Sequence, residues 1–455
     1  MAKYVIEGGV PLRGRVKLLG AKNVGFKLLI ASLLADSPST IDNVARTKDV
    51  EAVKEIIKEL GGKAEWIGDH QINVNPRGLN NTNVAGCYGE KTRAPTLCVG
   101  PLVVRFGKAF VSLPGGDQIG QRPIERHVQG FASLGLKIQG GDEGLEISGS
   151  LHGGKYRFEK NSHTGTESLI LAAVRAKGKT VIENAAAEPE VDDLITFLNQ
   201  MGAKIKRVSP RTIEIEGVQR LAGTTSRVMP DRNEAVTFAC TALVTSGDIE
   251  IEEAKREHLG AFEGVLKRAG ATFEFSSDGL HVWRKAGADL KATDITTAPH
   301  PGFMTDWQPL WAVVGACSAG TSIIHETVFE SRFKYVESLQ KMGAKIEFFN
   351  PKVDNPQEFY NRKITSRDCF SRARYNFNWT DEMVRMPHAI KIYGPTQLRG
   401  QNLQVPDIRA GATLVLAALS AKGKSTLEGV EHIERGYENL EGRLGSLGAK
   451  IKRAV

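Results

Sequence analysis

Leu169-Ile-Leu-Ala-Ala-Val-Arg-Ala-Lys-Gly-Lys-Thr-Val-Ile-Glu183, followed by Leu194, Phe197, Leu198 and the break Met201-Gly-Ala-Lys204, decides the architecture of this chain. Residues 169–176 are apolar nearly all round and rich in small side chains, and a helix without a polar face has to be buried on every side. Gly178 and the β-branched residues after it read as a turn into a short strand. Apolar residues at 194, 197, 198 and 201 follow the three-or-four spacing of an amphipathic helix, and Gly202 stands where a C′ glycine would end it. With a further strand after the break, the stretch predicts helix, strand, helix, strand, strand.

The same break recurs as Leu60-Gly-Gly-Lys63, Leu134-Gly-Leu-Lys137, Ala269-Gly-Ala-Thr272, Met342-Gly-Ala-Lys345 and Leu447-Gly-Ala-Lys450. Upstream of each lies a buried-helix candidate, at 28–35, 96–104, 169–176, 236–244, 310–319 and 414–421. The units mostly lie roughly 70 residues apart, too long for a solenoid repeat and suited to a small α/β subdomain. A chain of 455 residues exceeds one ordinary core, so six units should divide as three in each of two domains. Arg227-Val-Met-Pro-Asp-Arg232, between the third and fourth units, reads as the crossing, and a cleft between two such domains is the default place for a substrate. The fifth unit carries an insertion at about 350–387 that includes Arg362, Lys363, Arg367, Tyr375 and Trp379, either a surface excursion or a lid on an active site.

Composition narrows the function. The chain is 41% hydrophobic and 25% charged, no run approaches the roughly 20 apolar residues of a membrane span, and Met1-Ala-Lys-Tyr-Val-Ile-Glu lacks the apolar core of a signal peptide. A cytoplasmic protein is expected. Cys87, Cys98, Cys240, Cys317 and Cys369 are widely spaced without a Cys-x-x-Cys pair, which suggests reduced thiols and neither a disulfide framework nor a zinc site. No metal and no cofactor is expected. The net charge of +8 is spread along the chain without a basic run interleaved with aromatics, so small polyanionic substrates fit as well as nucleic acid.

The chemistry is placed in Ser112-Leu-Pro-Gly-Gly-Asp-Gln-Ile-Gly-Gln-Arg-Pro123. One Pro and two adjacent Gly residues break the preceding strand, while Asp117 and Arg122 supply an acid and a cation that could protonate a group and hold an anion beside it. Taken alone, the same residues also make an ordinary turn in which Asp117 caps its own backbone. Gly20-Ala-Lys-Asn23 stands at the start of the first buried helix, where Lys22 and free N–H groups would suit a phosphate or carboxylate. Further candidates are Arg93, Asp306 in Thr297-Ala-Pro-His-Pro-Gly-Phe-Met-Thr-Asp306, Arg409 in Pro406-Asp-Ile-Arg409, and Arg435 in His432-Ile-Glu-Arg-Gly-Tyr437. Cations at equivalent points of a repeated unit can serve one multiply phosphorylated substrate.

In order along the chain, Gly-Ala-Lys-Asn, Leu-Pro-Gly-Gly-x-x-Ile-Gly-x-Arg-Pro, Thr-Ala-Pro-His-Pro-x-Phe-x-Thr-Asp, Glu326-Thr-Val-Phe-Glu-Ser-Arg-Phe333 and Arg-Gly-Tyr-Glu resemble the UDP-N-acetylglucosamine 1-carboxyvinyltransferase family of enolpyruvyl transferases over nearly the whole length. The resemblance implies a two-domain inside-out α/β barrel with buried helices inside and sheets outside. It divides the chain into residues 21–231, carrying the loop 112–123, and residues 1–20 with 232–455. The implied reaction transfers enolpyruvate from phosphoenolpyruvate to the 3′-hydroxyl of UDP-N-acetylglucosamine, by addition and then elimination of phosphate, opening peptidoglycan precursor synthesis and so serving cell-wall biogenesis, cell shape and division.

Carried over position by position, Lys22, Asn23, Arg122, Arg409 and Arg435 would hold phosphoenolpyruvate. Arg93, Arg122, Pro123, Ile124, Glu125, Arg126, Lys160, Asn161, Ser162, His163, Thr164, Asp306 and Val328 would line the nucleotide-sugar site. Asp117 and Asp306 would be the acid and the base, with Lys22 beside them as a catalytic cation. The chain departs from the common family pattern in having Asp117 where most members carry Cys, which implies fosfomycin resistance. It also has the more polar Ser162-His-Thr-Gly-Thr166 in place of Ser-Val-Gly-Ala-Thr, and the insertion in the fifth unit. Alternative readings are the sister enzyme acting on shikimate 3-phosphate, a non-catalytic UDP-sugar sensor, and an RNA-end-processing protein; the intact acid, base and cation positions speak against the sensor and the scattered charge against RNA.

Overall fold

Each of the six breaks ends a helix in the same way. Gly61, Gly135, Gly202, Gly270, Gly343 and Gly448 have φ between +69° and +102°, a left-handed conformation that a Cβ disfavours. They close the amphipathic helices Lys48–Glu59, Glu125–Ser133, Pro189–Gln200, Gly260–Arg268, Val336–Lys341 and Leu440–Ser446. A computed structural model describes residues 2–89, 92–113, 115, 119, 120, 124–141, 143–284, 288–350, 361–364, 369–371, 376 and 386–454.

The buried helices are Lys22–Ser32, Ala94–Phe106, His163–Ala173, Arg232–Val244, Gln308–Ala316 and Ile408–Ser420. All six start earlier than their apolar runs, in most of them because the first turn carries polar residues. Three are capped by side chains: the Ser162 hydroxyl accepts from Gly165 N at 3.1 Å, Asp231 Oδ1 from Asn233 N at 2.7 Å, and Asp407 Oδ1 from Arg409 N at 3.0 Å and Ala410 N at 2.9 Å. Those first turns contain Lys22, Asn23, His163, Thr164 and Arg409.

Each repeated unit builds one four-stranded sheet of constant topology. In the third, Lys155–Arg157 runs parallel to Lys179–Glu183, which pairs antiparallel with Thr212–Glu216, and Lys204–Ser209 forms the far edge. The strand that precedes the buried helix is absent from the sequence expectation, so the unit is strand, helix, strand, helix, strand, strand. The leading strand of the first unit is Thr225–Arg227, parallel to Ser39–Asp42, and that of the fourth is Arg13–Lys17, parallel to Asp248–Glu252. Lys3–Glu7 lies between Lys424–Glu428 and Lys450–Ala454 and completes the sixth sheet.

The chain divides into two compact units, one of Met1–Leu18, Ile119–Arg122 and Asp231–Val455, the other of Leu19–Gln118 and Pro123–Pro230. Within the second, helix Ala94–Phe106 packs on His163–Ala173 and Lys22–Ser32; within the first, Arg232–Val244, Gln308–Ala316 and Ile408–Ser420 pack on one another. Each unit has one contiguous apolar core, in which the three helices lie inside and three sheets outside. Among the described residues, no helix is long and apolar enough to cross a membrane.

Within the insertion, Asn361–Ile364 and Cys369–Ser371 pair antiparallel. Its base is held by Asn350, whose Nδ2 donates to Met386 O at 3.2 Å while its Oδ1 accepts from His388 N at 3.0 Å. Arg367, Tyr375 and Trp379 lie outside the described residues.

Candidate active site

Asp306 occupies the centre of an ion-pair cluster. Its Oδ1 accepts from Arg332 Nη2 at 2.6 Å and its Oδ2 from Arg409 Nε at 3.1 Å. Both arginine side chains are buried, whereas Asp306 keeps 20% of its side chain exposed. Arg409 stands in the first turn of Ile408–Ser420 with its guanidinium 5.3 Å from the centre of the Tyr437 ring, and Tyr437 Oη is 2.8 Å from Thr237 Oγ1. Burial disfavours the Arg409 charge, but Tyr437, Asp306 and Asp231 more than offset it and hold the group protonated. Arg435, two residues before Tyr437, ends the short 3-10 helix Val430–Arg435.

The segment that delivers Asp306 is pinned by Glu326, a residue that motif reading left without a role. Its Oε1 accepts from Thr297 Oγ1 at 3.0 Å, Val328 N at 2.7 Å and Phe329 N at 3.1 Å, and its Oε2 from Thr305 Oγ1 at 2.9 Å. One carboxylate therefore ties both ends of Thr297–Thr305 to Val328. Burial pushes the Glu326 carboxyl above the usual carboxylate range in spite of these donors. Replacing Glu326 by Gln keeps the volume but turns an NH2 group toward one or more of these donors. The expected result is a loss of about 2–3 kcal/mol of stability in chemical denaturation, and an unchanged denaturation midpoint would show that the carboxylate does not hold this segment.

Arg332 was likewise present in the Glu326–Phe333 motif without being singled out. Among the charged neighbours Glu330 and Lys334 nothing in the sequence set it apart, yet at 3% exposed it is a buried cation facing Asp306. Asp117, Arg122 and Pro123 lie outside the described residues. Of the same loop, Ile119 O accepts from Ser331 N at 3.0 Å, and a Cβ on Gly120 would collide with the Glu330 carboxylate. Ile119 and Gly120 thus meet the segment that carries Val328 and Arg332.

In the other unit, Lys22 Nζ pairs with Asp49 Oδ2 at 2.7 Å, with Asn23 next in the same first helical turn. Arg93 stands at the N-cap position of Ala94–Phe106. Ile124 precedes helix Glu125–Ser133, from which Arg126 Nη1 donates to Asn161 O at 3.2 Å. That bond brings Arg126 to the run Lys160, Asn161, Ser162, His163 and Thr164. Burial lowers the Arg126 pKa. His163 Nε2 lies 3.1 Å from Glu167 Oε1, and Glu167 Oε2 pairs with Lys27 Nζ at 2.6 Å. Lys27 and Glu167 were not foreseen, although a Lys inside an apolar helix and the unusually polar Ser162–Thr166 were visible. Burial pushes the Cys98 thiol up to about 12 and the Cys317 thiol up to about 11, so neither is a reactive thiol at neutral pH.

Comparison with known proteins gives a consistent result. The family described as EPSP synthase (3-phosphoshikimate 1-carboxyvinyltransferase) matches residues 6–444. The chain is 36% identical over 455 residues to the UDP-N-acetylglucosamine 1-carboxyvinyltransferase of Pseudoalteromonas atlantica, covering 100% of both chains. It is 38% identical over 454 residues to UDP-N-acetylglucosamine 1-carboxyvinyltransferase 3 of Caldanaerobacter subterraneus, covering 100% of this chain and 99% of the relative. Among solved structures, the enolpyruvyl transferase NikO from Streptomyces tendae superposes with a TM-score of 0.83 at 22% identity, covering 100% of this chain and 99% of the other. An EPSP synthase from Acinetobacter baumannii gives 0.73 at 18% identity, covering 100% of both. At such identities the two structures speak to the fold, and the fold is the same.

Proposed function

The chain belongs to the EPSP synthase family of enolpyruvyl transferases, with full-length relatives among the UDP-N-acetylglucosamine 1-carboxyvinyltransferases, and from that membership we propose that it transfers enolpyruvate from phosphoenolpyruvate to the 3′-hydroxyl of UDP-N-acetylglucosamine with release of phosphate. The observation that carries the reading is the partly exposed Asp306 carboxylate held by Arg332 at 2.6 Å and Arg409 at 3.1 Å. A sugar hydroxyl is a poor nucleophile until a carboxylate within hydrogen-bond reach removes its proton as the new C–O bond forms, and the two guanidiniums aim that carboxylate.

In the addition step Asp306 takes the 3′-hydroxyl proton, the oxygen bonds to C2 of phosphoenolpyruvate, and Asp117 delivers a proton to the methylene carbon. In the elimination step a proton leaves the resulting methyl group, the C2–O bond to phosphate breaks, and the enol ether forms. Phosphoenolpyruvate is a small polyanion whose desolvation requires several cations, which Lys22, Arg122, Arg409 and Arg435 supply, with Asn23 as a neutral donor. Arg93, Arg122, Pro123, Ile124, Glu125, Arg126, Lys160, Asn161, Ser162, His163, Thr164, Asp306 and Val328 serve the nucleotide sugar. The product would enter peptidoglycan precursor synthesis in the cytoplasm.

Phosphate release on mixing the protein with phosphoenolpyruvate and each candidate acceptor tests the reading. Release with UDP-N-acetylglucosamine supports it; release only with shikimate 3-phosphate assigns the chain to the sister reaction. Replacing Lys22 by Ala is expected to weaken phosphoenolpyruvate binding by about 1–3 kcal/mol, the worth of a charge-assisted hydrogen bond. The same change removes the 2.7 Å partner of Asp49, so a lower melting temperature should accompany it. Unchanged affinity by calorimetry would take Lys22 out of the site.

A further inference from the structure

Lys27, Glu167 and His163 form a charge cluster inside an otherwise apolar core. Lys27 is 2% exposed and Glu167 fully buried, whereas the His163 side chain keeps 23% of its surface open. Lys27 Nζ and Glu167 Oε2 at 2.6 Å already make a neutral pair, and His163 Nε2 adds a third polar group at 3.1 Å from the other oxygen. A buried ion cluster is seldom more stable than apolar side chains of the same volume, so stability alone does not explain it.

The shorter of two contacts at Nε2, 3.1 Å to Glu167 Oε1 against 3.4 Å to Lys27 Nζ, favours the ring proton there. A carboxylate only accepts, so the nitrogen 3.1 Å from Glu167 is an N–H donor. The Lys27 ammonium, 3.4 Å from the same Nε2, could donate only to a ring without its proton there. In the neutral ring Nδ1 then presents a lone pair, which repels an anion; in the imidazolium it presents a second N–H, which binds one. Among the described residues no hydrogen bond is made to Nδ1. The ring follows Ser162 and precedes Thr164, in the run assigned above to the nucleotide sugar.

We propose that His163 is a specificity-determining binding residue that donates through Nδ1–H to a phosphate oxygen of the nucleotide sugar, and that Glu167 and Lys27 are positioning residues that set the charge of its ring without touching substrate. The inference rests on the enolpyruvyl transferase reading and extends it to a proton-dependent contact with the diphosphate. Burial of the ring disfavours its charge and so does Lys27, but Glu167, with Glu188 further off, outweighs both and holds the imidazole above its ordinary pKa. From the adjoining helix Glu125–Ser133, the buried His127 turns its Nδ1 to Ser168 Oγ at 3.2 Å.

Affinity for UDP-N-acetylglucosamine should therefore be high where His163 is protonated and fall as pH rises through its pKa in the complex. The diphosphate is esterified at both ends and lacks the second ionisation that a phosphate monoester shows near pH ~6, so the ligand adds no titration of its own in this range. Calorimetric titration of the full chain with UDP-N-acetylglucosamine between mildly acidic and mildly alkaline pH should show an affinity loss of about ten- to hundredfold. In His163→Gln the profile should be flat at the weaker value. Lys27→Met removes a repelling charge and should move the limb to higher pH, whereas Glu167→Gln removes the attracting one and should move it to lower pH. Opposite displacements by two residues that do not contact ligand are not produced by a merely structural role. A flat profile in the unaltered chain, or a limb that neither Lys27→Met nor Glu167→Gln moves, overturns the proposal even if His163→Gln does not fold. No binding of UDP-N-acetylglucosamine at any pH would instead remove the reading on which it rests.

Discussion

Asp117→Asn should lower turnover by about a hundred- to ten-thousandfold, the usual contribution of a positioned general acid. The carboxamide matches the carboxylic acid in shape but has no proton to give at a useful pKa, so binding of both substrates should survive while addition to phosphoenolpyruvate does not. An unperturbed Asp ionises near a pKa of about 3.9 and would have lost its proton at neutral pH. It can serve only with a raised pKa, for which the negative charge of bound phosphates and desolvation by the substrates are the available causes. The acid must be protonated to act, so activity should fall on the alkaline side as pH rises through its pKa in the complex. Asp117→Cys, with a reference pKa of about 8.5, should stay active and move that limb upward. It should also become sensitive to fosfomycin, because a thiolate is a much stronger nucleophile toward the drug than a carboxylate. Full steady-state turnover in Asp117→Asn would place the acid elsewhere.

Asp306→Asn is expected to have the second large effect. The amide still fits between Arg332 and Arg409, and its single oxygen can accept from one of them, but it cannot take the hydroxyl proton. Loss of a general base should lower kcat by about a hundred- to ten-thousandfold with little change in the affinity for UDP-N-acetylglucosamine. The same change leaves two buried guanidiniums without their shared carboxylate, and breaking such a pair costs about 3–5 kcal/mol. Refolding yield and melting temperature should be measured on the same preparation, so that loss of folded protein is not counted as loss of chemistry. A well-folded variant with kcat near that of the unaltered chain would exclude Asp306 as the base.

The breaks at Gly61, Gly135, Gly202, Gly270, Gly343 and Gly448 were legible because a left-handed residue at a helix end nearly requires glycine, and the six apolar helices because burial on all sides excludes polar residues from their middles. The leading strands were not. Asn83–Val84 and Ile295–Thr296 are two residues long and Thr225–Arg227 three, and alternation over so short a run cannot be told from a loop. They exist because a neighbouring strand supplies a parallel partner, as Ser39–Asp42 does for Thr225–Arg227, and that pairing is long-range.

The same distinction holds for the site. Asp306 and Arg409 were singled out from their motifs, and the structure brings them to 3.1 Å. Glu326 and Arg332 were passed over because their roles depend on which donors and acceptors meet them in the core, Thr297 and Thr305 for one and Asp306 for the other. The polar Ser162–Thr166 was visible as a departure from family habit, but its explanation lay in Lys27, distant in sequence and close to His163 in space.

The most direct test of the account is the identity of the product. With phosphoenolpyruvate labelled in its three carbons and UDP-N-acetylglucosamine as acceptor, one equivalent of phosphate should appear together with one equivalent of nucleotide sugar bearing the labelled enol ether on the 3′-oxygen, as read by carbon NMR. Labelled pyruvate without the ether, or an ether formed only on shikimate 3-phosphate, would contradict it.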